Sequence, residues 1–207
     1  MIRSILKQCK FHLKRILEIS RIKILLCKHD TGLRIIVGSA NTGQAGWIST
    51  DYPALNLIDQ RSFARLFKPE SISHFLAEHV WEHLSPVDAQ RAIHNCFEFL
   101  EHGGRLRIAV PDGCHPDEDY IAQVKPGGYG SGADDHKALY DFRSLSAMME
   151  AAGFQVRLLE WFDEHGQFHF EPWSVDDGMV KRSTRYDPRN STNPTTFTSL
   201  IIDGIKP

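Results

Sequence analysis

Several things are missing from this sequence, and each absence narrows what it can be. Across 207 residues no apolar run approaches the roughly 20 residues that a membrane-spanning helix needs. There is no C-x-x-C pair. Cys9, Cys27, Cys96 and Cys114 are scattered, as reduced thiols of a cytoplasmic protein are. No secretory signal is expected, because lysines and arginines interrupt every candidate apolar core for one. Nor is there a large charge of one sign. The formal net charge is −2, so the chain as a whole is no polyanion binder and no nucleic-acid partner is expected. No segment repeats. What is present is ordinary for a globular protein, 42% hydrophobic and 24% charged, in a length that suits one full-sized domain.

The charge is unevenly placed. Arg3, Lys7, Lys10, Lys14, Arg15, Arg21, Lys23 and Lys28 face only Glu18 and Asp30 within residues 1–30, an excess of +6 that leaves −8 for the remainder. In the same segment Ile2, Ile5, Leu6, Leu13, Ile16 and Leu17 share one helical stripe with Cys9 and Ser20. The spacing predicts a basic amphipathic helix over residues 1–30, ahead of a domain at 31–207. The favoured reading packs the apolar stripe on the domain edge and leaves the basic face in water. The alternative lays residues 1–26 on an anionic membrane surface, which makes a cytoplasmic protein peripheral to the inner face of the membrane.

From residue 33 strands and helices alternate, which predicts an α/β fold with a mostly parallel sheet and helices on both faces. Strands are expected at Leu33–Val37, Trp47–Thr50, Asn56–Ile58, Ile72–Ala77, Arg105–Val110, Phe154–Phe162 and Thr198–Ile205, with helices over Val87–Leu100 and Asp141–Ala152. Residues 113–135 read as a loop or lid. Residues 163–197 form a polar insertion before the last strand. The last two strands have no helix between them, so antiparallel pairing is open to them.

The chemistry sits at strand ends. In "LRIIVGSANTGQAGWISTD" a strand runs into Gly38, and a second short strand ends at Asp51. A glycine after a strand lets backbone N–H groups approach a ligand, and an acid at the next strand end can accept two ribose hydroxyls. The gap from Gly38 to Asp51 is 13 residues, against about 20 in a dinucleotide fold, which argues against NAD. A plain strand–loop–strand connection is the competing reading. "AEHVWEHL" contains H-x-x-E-H, the inverted zinc-protease signature, through His79, Glu82 and His83. That motif needs a long helix, whereas here it follows a strand and meets Pro86, so no metal is expected. "VPDG" exposes Asp112 or simply turns the chain. "DDHKALYDF" sets His136 between acids, as a base or as a solvated helix start. The insertion carries "HFEPW" and "KRSTRYDPRN", aromatics beside arginines that suit a sugar ring or a phosphate, or a solvated loop.

Taken in order, "VGSANTGQAGWISTD", "ESISHFLAEHVWEHL", "FLEHGGRLRIAVPD", "HKALYDFRSLSAMMEAAGF" and "SLIIDGIKP" resemble the class I S-adenosylmethionine-dependent methyltransferases, in particular the methyltransferase-11-like bacterial group. The resemblance covers residues 33–207. It implies a Rossmann-like seven-stranded sheet whose last two strands form an antiparallel pair, with S-adenosyl-L-methionine as cofactor. It places Gly38, Ser39 and Ala40 at the methionine part, Asp51 at the ribose, Asp59 near the adenine amine, and Glu78 and His79 beside the sulfonium. Ala40 stands where the family has its second glycine, Ile36 where many members have an acid or amide, and Ser73 where an Asp is usual. A methyl at position 40 is accommodated if φ is negative.

The expected reaction is O-methylation of a hydroxylated small molecule or glycan. Alignment does most of the work, and a base (His136 first, then His79 or Asp112) takes the proton. The alternatives are a catalytically silent methyltransferase fold that serves as a binding protein, and a zinc hydrolase through His79, Glu82 and His83.

Overall fold

The computed structural model describes residues 2–27, 31–40, 42–191 and 195–207, with side chains from residue 8 onward. The elements follow in order as α1 (Ile2–Leu26), β1 (Leu33–Val37), β2 (Ile48–Ser49), α2 (Gln60–Leu66), β3 (Ile72–Glu78), α3 (Pro86–Phe99), β4 (Leu100–Pro111), α4 (Glu118–Val124), α5 (Phe142–Glu150), β5 (Gln155–Phe162), β6 (Phe168–Phe170) and β7 (Ser199–Ile205). One sheet holds all seven strands in the order β2-β1-β3-β4-β7-β5-β6. β1 to β5 point one way. β7 lies antiparallel between β4 and β5, and β6 pairs antiparallel on the outer edge of β5. This is the seven-stranded, mostly parallel Rossmann-like sheet expected, with β5 and β7 as its antiparallel pair.

Local chemistry explains the boundaries. Ser85 caps α3 by accepting from the Asp88 N–H at 3.2 Å, and Pro86 opens the helix, where its missing N–H costs nothing. Ala89, Ala92, Ile93, Cys96 and Phe99 recur at helical spacing and are all buried. Asp141 and Ser144 form a reciprocal capping box at the start of α5. The strand expected at Asn56–Ile58 is absent. There Asp59 N–H bonds the Asn56 carbonyl, and Asp59 caps α2 through Arg61 N–H at 3.1 Å. A seven-residue helix is too short to leave a periodic signal, so α2 has no counterpart in the sequence reading.

The pleat divides the core in two. Leu33, Ile35 and Val37 of β1 face the larger cluster, which takes Ile22 from α1, Phe63 from α2, Ile93 from α3 and Leu145 from α5. Ile36, Leu76, Ala109, Leu159 and Ile201 face the other way, onto Val180, Trp47 and Trp173. The insertion therefore covers the second face, its helical content reduced to short 3-10 turns such as Val175–Asp177.

α1 packs the opposite way round from the favoured reading. Ile22 is fully buried and Ile19 and Leu26 pack beside it, while Leu13, Ile16 and Leu17 are 58%, 60% and 62% exposed. The core-facing stripe is a second, shorter one near the C-terminal end of the helix. Ile2, Ile5 and Leu6 also belong to the expected stripe, but their side chains lie outside the described ones. Arg21 fastens the helix to the sheet edge by donating from Nη2 to the Ser49 carbonyl at 2.6 Å.

The insertion is held by charge buried in the sheet. Arg107 of β4 is completely buried and donates to both carboxylate oxygens of Asp203 on β7, at 2.8 Å each. Its third nitrogen reaches the carbonyls of Ser174 and Gly178 at 2.9 and 2.6 Å, and Trp173 stacks on the guanidinium. Buried Glu160 of β5 accepts from Trp173 Nε1, Thr184 N–H and Thr198 Oγ1 at 2.8 to 2.9 Å. Arg107→Ala leaves Asp203 buried without this partner and is expected to cost about 3–5 kcal/mol. Urea denaturation checks this, and pairing it with Asp203→Ala is expected to cost less than the two changes summed.

Candidate functional site

Open parallel sheets bind ligands outside the carboxyl ends of their strands, where neighbouring strands lead off in opposite directions. Here that point lies between β1 and β3. Gly38 follows β1 with φ +60°, and an added Cβ would stand 2.5 Å from Val80 Cγ2, so glycine is required. The chain then turns back under Thr50, whose carbonyl accepts Ser39 N–H at 3.1 Å. Ala40 has φ +44°. The condition of a negative φ is therefore not met, and an L-residue in that region costs roughly 1–2 kcal/mol. What holds it there is Asp51, whose Oδ2 accepts Ala40 N–H at 3.0 Å while Oδ1 accepts Tyr52 N–H at 2.8 Å. Two N–H groups fix the carboxylate and leave lone pairs free beside the loop.

Two cavities meet along this loop. One, about 330 Å³, runs past Ser39, Ser49, Asp51 and Tyr52 under Lys14 and Arg21 of α1. The other, about 320 Å³, passes Gly38, Ala40, Ile36, Glu78 and His79 to Lys181 and Arg182 of the insertion. Both are lined by Ser39, Thr42 and Gly43, so they form one trough. Gln44 closes its wall by exchanging hydrogen bonds with the Met179 backbone at 2.7 and 3.0 Å.

His79 ends β3 in another strained conformation, φ +54°, with its N–H on the Ala109 carbonyl at 2.8 Å. Arg182 Nη1 donates to its Nδ1 at 2.9 Å, which places the ring proton on Nε2, 3.0 Å from Ser199 Oγ. Arg182 also gives its backbone N–H to Glu78 at 2.7 Å. Beyond this gate lies a third cavity of about 370 Å³, lined by His79, Glu82, His83, His136, Tyr120 and Arg189 among others. The trough and this cavity share His79 and Arg182.

The structure thus gathers Gly38, Ser39, Ala40, Asp51, Glu78 and His79 on one trough, and brings His136 to the cavity behind it. Asp59 is used as a helix cap. Asp112 does not reach the cavity. It is fully buried at the end of β4, accepting Cys114 N–H at 2.9 Å and Phe162 N–H at 2.7 Å. The inverted protease helix does not form, because Trp81–His83 is a single 3-10 turn. In the insertion, His169 stacks on Trp161 and Trp173 packs under Arg107, so these aromatics serve the fold. Arg182 lies in the "KRSTRYDPRN" stretch that the sequence offered for a sugar ring or a phosphate, without a role for that residue. Ser199 was missed, since a serine at the start of a strand gives no local signal.

The fold is that of the class I S-adenosylmethionine-dependent methyltransferases. A SAM-dependent methyltransferase of Thermotoga maritima superposes with TM-score 0.51 at 14% identity, over 100% of this chain and 96% of that one. PigF, solved with SAH, gives 0.50 at 10% identity over 84% of this chain and 50% of its own. A SAM-dependent methyltransferase of Archaeoglobus fulgidus gives 0.49 at 13% identity over 98% and 99%. No protein-family model and no curated protein sequence matches the chain. The trough is lined by Gly38, Ser39, Ala40, Asp51, Glu78 and His79, residues that the resemblance names for the cofactor.

Burial pushes the Asp112 carboxyl up to about 6 from the ordinary 3.8, against the two N–H bonds that pull it down. A folded pKa above the unfolded one gives stability that is full below about pH 4 and lost as pH rises through about 6. Between those limits the wild type is expected to lose on the order of 3 kcal/mol relative to Asp112→Asn, measured by urea denaturation across pH.

Proposed function

We propose that this chain is an S-adenosylmethionine-dependent methyltransferase that O-methylates a hydroxylated small molecule or glycan. The observation that carries the reading is the continuity of the site. A trough with a fixed carboxylate at one end opens, past His79 and Arg182, into a polar cavity lined by histidines. The residues fit the cofactor's chemistry. Asp51 keeps lone pairs for ribose hydroxyls, Lys181 and Arg182 suit an amino-acid carboxylate, and Gly38 with Ser39 leaves backbone at the surface between them. Bound there, the cofactor supplies a methyl group on a neutral leaving sulfide.

The chain's own contribution is alignment and proton removal. Ser199, Tyr120 and the His79–Arg182 gate orient an acceptor of matching polarity. The acceptor's proton leaves by way of His136. That ring donates Nδ1–H to the Val124 carbonyl at 2.6 Å, which leaves the Nε2 lone pair unprotonated. Asp51→Ala is expected to weaken S-adenosylhomocysteine binding by about 10-fold or more in calorimetry, the loss of two charge-assisted hydrogen bonds. His136→Ala is expected to slow turnover by about 100-fold with cofactor affinity unchanged. Absence of binding at millimolar cofactor would instead favour the silent binding protein.

A second observation bears on where the enzyme works. No helix among the described residues is long and apolar enough to cross a membrane. Leu13, Leu17 and Ile24 nevertheless form an outward stripe on α1, with Ile16 and Leu25 at its borders, all between 43% and 69% exposed. Lys10, Lys14 and Arg21 flank it on one side and Lys23 on the other, all exposed. Apolar side chains flanked by cations match an anionic lipid surface, with each basic residue near it worth about 1 kcal/mol. We propose peripheral contact through this face. Sedimentation with phosphatidylglycerol vesicles is expected to show binding that salt reverses, reduced about 10-fold or more in Leu13→Ser/Leu17→Ser. Equal recovery with neutral phosphatidylcholine vesicles, or none with either, would remove the membrane reading.

A further inference from the structure

The cavity behind His79 contains a group that methyl transfer as described leaves unused. Glu82 is 1% exposed, and neither carboxylate oxygen has a hydrogen-bond donor among the described residues. His79 Nδ1 lies 3.0 Å from Oε1, but off the hydrogen-bond direction, and its lone pair is already taken by Arg182. His83 Nδ1 is likewise buried without a hydrogen bond. Asp135 stands 3.4 Å from it, at the exposed rim. An ionised carboxylate left this way in a protein interior costs several kcal/mol unless a cation joins it.

The surroundings are arranged for one. His136 packs edge-on against His83, with ring centroids 4.8 Å apart. Its Nδ1–H is fixed on a backbone carbonyl, the arrangement that orients a metal-ligating imidazole and frees the other nitrogen. The backbone N–H groups of Lys137 and Ala138 both bond the Glu82 carbonyl, at 2.7 and 3.2 Å, so the two chain segments cannot drift apart. One ligand atom from each of Glu82, His83 and His136 falls within 4.8 Å of the others. Two imidazoles and one carboxylate facing an open cavity suit zinc-class divalent ions, with positions left for an outside oxygen.

We propose that Glu82, His83 and His136 bind a divalent transition-metal ion of the zinc class, and that this ion holds the oxygen of the methyl acceptor. The second half rests on the methyl-transfer reading. The first half does not. With the ion bound, His136 is a ligand in place of the proton acceptor. It lends its lone pair to the metal, the metal binds the acceptor hydroxyl, the O–H bond breaks with its electron pair kept on oxygen, and the proton passes to water. Unlike the protease signature, this set omits His79 and takes its second histidine from the far loop.

The test uses the full chain, stripped with a chelator and titrated with Co²⁺ and Zn²⁺. One equivalent of Co²⁺ is expected to bind with a visible d–d absorption band that Zn²⁺ displaces. Glu82→Gln and His136→Ala are each expected to weaken binding by about 100-fold or more, and His94→Ala on the exposed side of α3 to leave it unchanged. If His136→Ala does not fold, His83→Gln takes its place. Absence of stoichiometric Co²⁺ binding, or the same affinity in wild type and ligand variants, overturns the proposal. S-adenosylhomocysteine calorimetry on the same samples separates the two readings. Cofactor binding without metal defeats only the metal site, and metal binding without cofactor defeats only the methyl-transfer role.

Discussion

The ion pair between Arg107 and Asp203 is the constraint on which the site depends. It joins the two central antiparallel strands, and on the sheet face opposite most helices it presents a guanidinium that needs further acceptors. The Ser174 and Gly178 carbonyls supply them, and Trp173 covers the charge. A buried pair of this kind is a poor source of net stability, because desolvation offsets most of its attraction. Its effect is positional. It dictates where an otherwise irregular segment crosses the sheet, and the neighbouring carboxylate of Glu160 fixes the next stretch through Thr184.

Position matters because the same segment delivers Met179 to the glycine loop and Arg182 to His79. The trough is thus walled on one side by β1 and β3 and on the other by a loop anchored some distance away on β4, β5 and β7. Of the three non-glycine residues with left-handed backbone among the described residues, two, Ala40 and His79, lie along the contact, and Glu70 lies elsewhere. Ala40 and His79 both adopt left-handed backbone, and each is held by a hydrogen bond from its own N–H, to Asp51 and to Ala109. Strain kept in place by surrounding structure is common where a ligand must meet backbone closely. Asp112, wholly buried and bonded to the Cys114 and Phe162 N–H groups, serves the architecture.

Much of this was legible in the residues. Strand–loop–strand around Gly38, the apolar run of β3 ending at Glu78 and His79, and the capped α3 and α5 each carry a local signature, and together they placed the trough. The rest was hidden for identifiable reasons. α1 has apolar residues on two faces, and periodicity reports the longer stripe without saying which one the domain covers. The Asn56–Ile58 segment has strand composition, but side-chain and turn bonds to Ser62 and Asp59 claim its backbone. The insertion has no period at all. Its order comes from Arg107 and Glu160, buried polar residues whose partners lie far along the chain, and from Asn190, which ties Ser183 to Phe197 within it.

Trp81 is wholly buried and Glu82 nearly so, and Trp81 Nε1, both Glu82 oxygens, His83 Nδ1 and the nearby Tyr140 hydroxyl are all buried without hydrogen bonds. Burial, and then the Glu82 charge, push the Tyr140 hydroxyl up to about 12, so it stays a neutral donor with no acceptor aligned to it. Folded proteins pair nearly all such atoms. Among the described residues two others, Arg15 Nε and Arg105 Nε, lie elsewhere, and the rest collect on or beside the turn Trp81–His83, whose Glu82 and His83 line the cavity that also holds His136. A turn chosen for stability alone would carry apolar side chains at those positions. A carboxylate kept among imidazoles at that turn is what a bound cation would account for.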